Sequence, residues 1–369
     1  MLKASLAFDR ELPWWGLVAT AEFAHVGVRH GLWYQEINLG PGNGTLPDGR
    51  ISYWRDTDPT AWAGSTTPAG YSGLQRFGNN SRFGAASTYL TNTGKGESNS
   101  LTLSLQTPFK EEGFSGGTSL TLGRATEVNP GTSSQASSNF SGRAAYNPND
   151  AVAYRSNYDV KARILGTLTW QHKFFGDYVT SVSAFYDGHS GQPYSFVYGN
   201  DANGDGISAN DLFYVPTGVN DVAWVDGTSD AAKQEFMAFI HGNEYLRDHM
   251  GQVVRQNGST SPWINQINLS FRQEVPGLFK DNKGELRFDI FNFGNMLNKK
   301  WGQIYDVPFA SAGGFTRSIA NFRGVNADGQ YVYSLPTTSD GHFNAPAFIK
   351  EDAVAQSRWS VLVTLRYTF

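Results

Sequence analysis

The last residues of the chain constrain its fold more than any other segment. From Trp359 to Phe369, apolar and polar side chains alternate, which predicts a β-strand with one apolar and one polar face. The apolar face carries Trp359, Val361, Val363, Leu365, Tyr367 and Phe369, and Leu362 is the only apolar residue on the other face. At ~3.3 Å per residue and a tilt of ~40°, such a strand rises roughly 25 Å, the height of the lipid-facing band of an outer-membrane barrel. The alternative is an edge strand of a soluble β-sandwich, which alternates in the same way.

The composition favours the barrel. Charged residues are sparse at 17%, aromatic residues reach 14%, and the chain contains no cysteine. A sandwich domain has about 100 residues, so a chain of 369 residues would need several repeats, and none is visible. The sequence contains no run of about 18 apolar residues, the length that a transmembrane helix needs. A barrel can cross a bilayer without such a run, because its strands satisfy one another's backbone groups. The net charge of −4 offers no basic surface, so we expect no nucleic-acid partner.

The spacing of the predicted strands indicates that the two ends of the barrel differ. Short connections are predicted at residues 10–13, 110–113, 175–177 and 276–284, and long polar loops at 40–82, 129–157, 198–261 and 298–357. Transmembrane barrels combine short periplasmic turns with long extracellular loops in this way, whereas a soluble sandwich has no reason to keep its long loops at one end. We therefore predict an all-β, antiparallel transmembrane barrel portion of about nine strands. The second strand is expected to run from Gly16 into residues 32–39 with a kink near Gly27.

Aromatic and charged residues fit the same arrangement. Trp263 and Trp359 lie near the long-loop ends of their strands, and a second set lies beside the short turns, namely Phe8, Trp14, Trp15, Phe109, Phe174, Phe175, Tyr178, Tyr367 and Phe369. These are the two aromatic girdles of a membrane barrel. The charged residues expected to face the lumen are Asp159, Lys161, Arg163, Arg287, Asp289 and Arg366. We therefore expect outer-membrane lipid around the barrel and the carboxyl terminus at the periplasm of a Gram-negative bacterium.

Several segments resemble one family, and together they span nearly the whole chain. They are FDRELPW (8–14), LTNTGKG (90–96), SGQPYS (190–195), GNDANGDG (199–206), NDL (210–212), EYL (244–246), SPW (261–263), FNF (291–293) and YTF (367–369). In order and spacing they are similar to the carboxy-terminal barrel of TonB-dependent outer-membrane receptors of the Oar-like subgroup. The resemblance implies that residues 1–369 are part of a barrel of about 22 strands whose plug domain, TonB-contacting box and export signal lie outside this sequence.

The same resemblance implies a function and partners. The expected function is energised uptake of an unidentified extracellular ligand, with TonB acting through the plug and the barrel-assembly machinery recognising the terminal strand that ends at Phe369. A passive porin-like channel and a surface adhesin or assembly protein acting through its long loops are the alternatives. No catalytic residue is expected in any of these readings.

One loop carries a pattern typical of metal binding. Asp201, Asn203 and Asp205 alternate, Gly206 follows, and Asp211 comes later, which supplies the density of oxygen ligands that Ca²⁺ prefers. An EF-hand has a bidentate acid at its twelfth position, which here is Leu212. The competing interpretation is a solvated turn in which Asp and Asn cap local backbone groups. If Ca²⁺ binds, we expect it to stiffen an extracellular loop.

Other polar groups do not match catalytic patterns. The sequence around Ser190 is one residue short of a nucleophile elbow. His241, Glu244 and His249 do not have HExxH spacing, and they fall in residues 230–250, for which we predict a short helix with Asp230 as its N-cap.

Overall fold

The computed structural model describes residues 1–62, 77–78, 80, 82–83, 87–279, 282–310, 312–350 and 357–369. Within these ranges the chain is built mainly of β-strands, which are numbered here along the sequence. No helix among the described residues is long and apolar enough to cross a membrane. The predicted loop at residues 40–82 lies partly outside the described residues.

Nine long strands form one antiparallel sheet, which we call the wall. Its strands are β1 (Leu2–Glu11), β2 (Val18–Gly27), β5 (Glu97–Gln106), β6 (Gly113–Glu127), β8 (Ala162–Phe175), β9 (Tyr178–His189), β13 (Ile264–Pro276), β14 (Lys283–Phe291) and β20 (Ser360–Thr368). They are hydrogen-bonded in sequence order, and the two-residue strand β7 (Tyr154–Arg155) adds to the end of β6. The prediction of an antiparallel array of about nine strands is confirmed.

The strand register separates an apolar from a polar face of the wall, because directly paired residues point to the same side. Leu103 is paired with Ala21 and Leu120, and Leu120 is paired in turn with Ile164. Leu168, four residues further along β8 on the same face, begins a second row that runs through Ala184 and Leu269 to Ile290 and Val361. Leu168 remains 52% exposed, as expected of a surface covered by lipid chains rather than by protein.

The opposite face of the wall is polar. Thr102 pairs with Thr121 through hydroxyl groups 3.0 Å apart. Arg163 Nη2 lies 2.6 Å from Asp187 Oδ2, and Arg287 Nε lies 2.8 Å from Asp289 Oδ1. Of the predicted lumen charges, Arg163, Arg287 and Asp289 therefore lie on the polar face, and Arg366 lies opposite Glu285. Asp159 and Lys161 were predicted on the same strand as Arg163 but precede β8.

The terminal strand has the predicted faces. In β20, Val361, Val363 and Leu365 lie opposite Ile290, Phe288 and Leu286. Leu362 points to the polar face, where it lies opposite Asp289. Strand β20 pairs only with β14, and β1 pairs only with β2, so within the described residues the wall is an open sheet with two edges.

Short and long connections alternate along the wall. The short ones are residues 12–17, 107–112, 176–177 and 277–282, and the long ones are 28–96, 128–161, 190–263 and 292–359. The short connections follow the first, third, fifth and seventh strands of the wall, which all run in the same direction. They therefore lie at one end of the antiparallel sheet, and the long connections lie at the other. The predicted asymmetry is confirmed. We call these ends the turn end and the cap end.

The long connections contain most of the remaining elements. Their strands are β3 (Gly31–Glu36), β4 (Thr88–Thr93), β10 (Pro193–Tyr198), β11 (Ala223–Trp224), β12 (Ser259–Thr260), β15 (Tyr305–Asp306), β16 (Phe309–Ala310), β17 (Gly314–Val325), β18 (Tyr331–Ser334) and β19 (Ile349–Lys350). Their helices are α1 (Ala136–Ser141), α2 (Asp230–Gly242), α3 (Glu244–Arg247) and α4 (Phe293–Leu297), with short 3₁₀ turns at Ile37–Leu39 and Pro59–Trp62.

The four long connections pack into one cap. Strand β10 of the third connection pairs in parallel with β17 of the fourth. The buried core contains residues from every connection, including Leu46, Trp54, Trp62, Ala144, Tyr198, Phe213, Phe236, Ile319, Phe322 and Tyr333. Trp62 and Phe322 meet edge to face with ring centroids 4.9 Å apart. The prediction of polar loops is therefore incomplete, because aromatic residues spaced irregularly along them form a common core.

Two local predictions are corrected. The second strand does not kink near Gly27 but ends there, and β3 pairs with β4 in a separate sheet. The predicted helix is present as α2 and α3, but its N-cap is Ser229, whose Oγ accepts a hydrogen bond of 3.1 Å from the backbone N–H of Ala232.

Candidate functional site

The acidic loop at residues 201–211 lies inside the cap, directly after β10. Its first carboxylate organises the turn, because Asp201 Oδ1 and Oδ2 accept hydrogen bonds from the backbone N–H groups of Gly204 (2.7 Å) and Gly206 (2.8 Å). Both glycines have positive φ, +86° and +97°, a conformation that suits glycine. Asn203 Oδ1 accepts from the N–H of Asp205 (2.8 Å). The loop is thus a series of Asx turns with its carboxylates directed inward.

Asp211 closes the loop. Its Oδ2 accepts hydrogen bonds from the N–H groups of Ala202 (2.8 Å) and Asn203 (3.3 Å). The neighbouring backbone is held by the second long connection, since Ala145 donates to the carbonyl of Asn210 and accepts from the N–H of Leu212. Residues brought from another connection therefore position Asp211 over the start of the loop.

Three of the four predicted ligands come together. One carboxylate oxygen from each of Asp201, Asp205 and Asp211 lies within 4.8 Å of the others, and all three side chains are buried. This is the only such group of acidic, His or Cys side chains found in the described part of the chain. Asn203 is also fully buried, but its amide oxygen is bound to the Asp205 N–H. His241, Glu244 and His249 do not form a comparable group there.

Buried acceptor oxygens remain at the cluster. Asp211 Oδ1 and Asn210 Oδ1 have no hydrogen-bond donor, although Asp211 and Asn210 are almost completely buried. Asn210 Nδ2 donates to Asp205 Oδ2 at 2.7 Å, so its amide is directly beside the carboxylates. Buried oxygens without donors are costly unless a cation or another donor satisfies them. The sequence did not predict Asn210 as part of this site, although its position next to Asp211 could have indicated it.

Arg50 supplies the nearest positive charge. Its guanidinium lies 2.7 Å from Asp48 Oδ2 and 3.6 Å from Asp211 Oδ1, and it also donates to the carbonyl of Leu212. Its guanidinium is thus shared between Asp48 and one of the predicted ligands, Asp211. Burial raises the pKa of Asp211 well above its usual range, and the charge of Asp205 raises it further, while Arg50 acts in the opposite direction. Arg50 could not be found from the sequence because it belongs to the first long connection.

The donor set fits a hard cation. Oxygen atoms from three carboxylates, with an amide oxygen adjacent, are the ligands that Ca²⁺ takes in proteins. Leu212 stands where an EF-hand carries its bidentate acid, and it is buried in the cap core instead. The fit is therefore that of a three-carboxylate loop rather than of a complete EF-hand.

Ser190, which lies just after the end of β9, has a hydrogen bond to the backbone. Ser190 Oγ accepts a hydrogen bond of 3.0 Å from the backbone N–H of Lys161, which ties the end of β9 to the start of β8. His189 Nδ1 contacts the carbonyl of Ser190 at 3.0 Å rather than its hydroxyl.

The two-faced wall, the alternating connections and the cap define an outer-membrane β-barrel protein. A protein-family model described as "Outer membrane beta barrel domain" matches residues 1–320. The chain belongs to this family, which is consistent with location in the outer membrane. Comparison with curated proteins and with solved structures found no match.

Proposed function

We propose that the chain is part of the barrel of a TonB-dependent receptor, in the Oar-like subgroup, that takes up a ligand across the outer membrane. The observation that carries the proposal is the folded cap over an open, polar-faced wall. A cap with its own core offers a fixed surface for capturing a ligand, whereas loops that only protect a passive pore need no common core. The sequence resemblance over nearly the whole chain supports the same assignment.

The proposal assigns partners to the edges and ends of the wall. Among the described residues, strands β1 and β20 each have an unpaired edge, and a sheet edge cannot be left open in lipid. They pair with further strands of a barrel of about 22 strands, whose plug contacts TonB. In this arrangement the turn end and the carboxyl terminus are periplasmic, the cap is extracellular, and the terminal strand ending at Phe369 is recognised by the assembly machinery.

The test is energy-dependent uptake by cells that carry the intact gene. Small molecules are recovered from the growth medium and radiolabelled. They are then added to cells that have both the receptor and TonB, to cells that lack TonB, and to cells that lack the receptor. We expect accumulation that requires both the receptor and TonB. Uptake that requires the receptor but not TonB would favour the passive channel. Binding to whole cells without uptake in either strain would favour the adhesin.

We also infer that the loop at residues 201–211 binds Ca²⁺. Three buried carboxylates within 4.8 Å repel one another unless a cation or protons neutralise them. Asp211 Oδ1 and Asn210 Oδ1, which are buried and accept no hydrogen bond, support the same inference. Because the loop contacts two other connections of the cap, a bound ion stabilises the cap rather than acting in catalysis.

Calcium titration tests this inference. The purified protein in detergent is treated with a chelator, and the heat of binding and the melting temperature are then followed as Ca²⁺ is added. We expect the wild-type protein to bind Ca²⁺ and to melt at a higher temperature when Ca²⁺ is present. Asp205→Asn should lower the affinity for Ca²⁺ at least tenfold and reduce the rise in melting temperature. Asp226, an exposed acid in the same connection, is the control, and Asp226→Asn should bind Ca²⁺ normally. Wild-type protein that neither binds Ca²⁺ nor melts higher in its presence would exclude the site.

A further inference from the structure

A second site lies where the wall meets the cap. Here a cavity of about 820 Å³ opens beside the cap ends of β6 and β8, and residues 253–258 of the third connection form its other side. Ligand pockets are commonly about 300–1,000 Å³. Its volume is thus sufficient for a ligand larger than an inorganic ion.

The cavity is strongly cationic. Arg124, Arg155, Lys161 and Arg255 line it, and Asp159 is the only acid in the lining. Arg155 forms an ion pair with Asp159, with its Nε 2.6 Å from Asp159 Oδ2. In the described part of the chain no carboxylate forms an ion pair with Arg124, Lys161 or Arg255, and these three side chains are exposed. Lys161 and Arg255 therefore remain available to an entering anion, whereas the strand register places Arg124, paired with Asn99, on the same face as Leu122.

The cavity also presents a buried acceptor. Gln256 lines it and is only 3% exposed, yet its Oε1 has no hydrogen-bond donor. A buried amide oxygen without a donor is energetically unfavourable. A ligand hydroxyl would satisfy it, whereas a simple oxyanion, which has only acceptor atoms, would not.

These observations together define the chemistry of a ligand. We propose that the cavity binds a sugar acid, a polyhydroxylated molecule whose carboxylate or phosphate groups contact Lys161 and Arg255 and whose hydroxyl donates to Gln256 Oε1. Guanidinium groups bind planar carboxylates and phosphates through paired hydrogen bonds, and lysine adds a mobile point charge. Tyr146 and Tyr154 contribute aromatic surface to the same lining.

The cavity is at a functionally suitable position. Lys161 directly precedes β8 and is therefore held at the cap end of the wall, while Arg255 and Gln256 belong to the cap. A ligand held between them contacts both parts of the molecule. In this respect the inference rests on the proposed function, because it names the class of ligand that the receptor would take.

Calorimetry on the purified protein in detergent tests the cavity without any transport step. The probes are digalacturonate and glucose 6-phosphate, which carry carboxylates and a phosphate respectively, and lactose as the neutral control. We expect at least one acidic probe to bind, lactose to bind at least tenfold more weakly, and affinity to fall as salt is raised. Which acidic probe binds more tightly identifies the anionic group.

Two exposed side chains provide the decisive variants. Lys161→Gln and Arg255→Gln should each weaken binding of the acidic probe by about tenfold, since each removes a charged hydrogen bond. Arg366→Gln, on β20 and outside the cavity, is the matched control and should bind as the wild type does. Gln256→Leu should weaken binding of the sugar acid but leave that of succinate, which has no hydroxyl, unchanged.

The outcomes separate this inference from the receptor proposal. Equal binding of acidic and neutral probes, no binding of either acidic probe, or full affinity in both charge variants would overturn the cavity assignment even if TonB-dependent uptake is found. Binding with the expected variant pattern in a protein that supports no uptake would overturn the receptor proposal and leave the cavity assignment standing. Melting temperatures of all variants establish that the protein remains folded.

Discussion

Arg50 Nη1 lies 3.6 Å from Asp211 Oδ1, and neither side chain has any exposed surface. The two residues belong to different connections of the cap, and the same guanidinium contacts Asp48 at 2.7 Å. We predict that Arg50→Met lowers the free energy of unfolding by about 3–5 kcal/mol, because two buried carboxylates lose their counter-charge. Urea unfolding in lipid vesicles measures the change. Arg29→Met removes an exposed arginine of the same connection and should change stability by less than about 0.5 kcal/mol; equal effects would contradict the role of Arg50.

The acidic loop predicts a pH dependence that Ca²⁺ reverses. The raised pKa of Asp211, caused first by burial and then by Asp205, means that folding favours its protonated form. Without Ca²⁺ this contribution is complete below about pH 4, the usual carboxyl pKa, and is lost as pH rises through the folded-state pKa. With Ca²⁺, which needs the ionised carboxylates, stabilisation by the metal should instead grow with pH.

Melting temperatures between pH 4 and 7, in chelator and in Ca²⁺, measure this reversal. Asp211→Asn serves as the reference, because subtracting its pH profile removes the titration of other groups. The interpretation fails if the wild type and Asp211→Asn have parallel profiles in chelator.

The alternation of faces in β8 predicts opposite consequences for two adjacent residues. Leu168 belongs to the apolar row that includes Ala184, while Thr167 faces the polar side opposite Phe185. We expect Leu168→Arg to destabilise the folded protein by about 2–4 kcal/mol, since it places a charge in lipid. Thr167→Arg should cost less than about 1 kcal/mol. Folding into lipid vesicles, followed by heat-modifiable migration and by urea titration, compares them; a larger cost for Thr167→Arg would mean that the faces are reversed.

A glycine pair tests the turn of the acidic loop. A Cβ at Gly204 would lie 2.8 Å from the backbone nitrogen of Trp54, and its φ is +86°. We predict that Gly204→Ala lowers Ca²⁺ affinity at least tenfold and destabilises the cap by about 1–3 kcal/mol. Gly218 has nothing within 4 Å of an added Cβ, so Gly218→Ala should leave both quantities close to the wild type. Calcium titration and thermal melting of the two variants supply the comparison.

The wall could be predicted from the sequence because its signal is local. A period of two in Trp359–Phe369 fixes both faces of the terminal strand without knowledge of its neighbour, and the length of each connection indicates which end it occupies. The same reasoning located Asp201 and Asp205, which are close in sequence and are held by turns that they form themselves.

The cap could not be predicted in this way, because its contacts join distant segments. Tyr198 Oη and Tyr333 Oη are 2.9 Å apart although 135 residues separate them, and no periodicity marks either one as buried. The pairing of β10 with β17 is parallel and interrupted by a bulge after Val197. The role of Arg50 could not be predicted from the sequence for the same reason, since it depends on partners that belong to other connections.

The common core of the cap has a consequence for the order in which the molecule is built. Because Phe322 and Tyr333 of the fourth connection are part of that core, the first three connections cannot complete it by themselves. The core is complete only when the last two strands of the wall bring the fourth connection to the cap end. Full packing of the cap therefore requires every strand of the wall, including the most carboxy-terminal one.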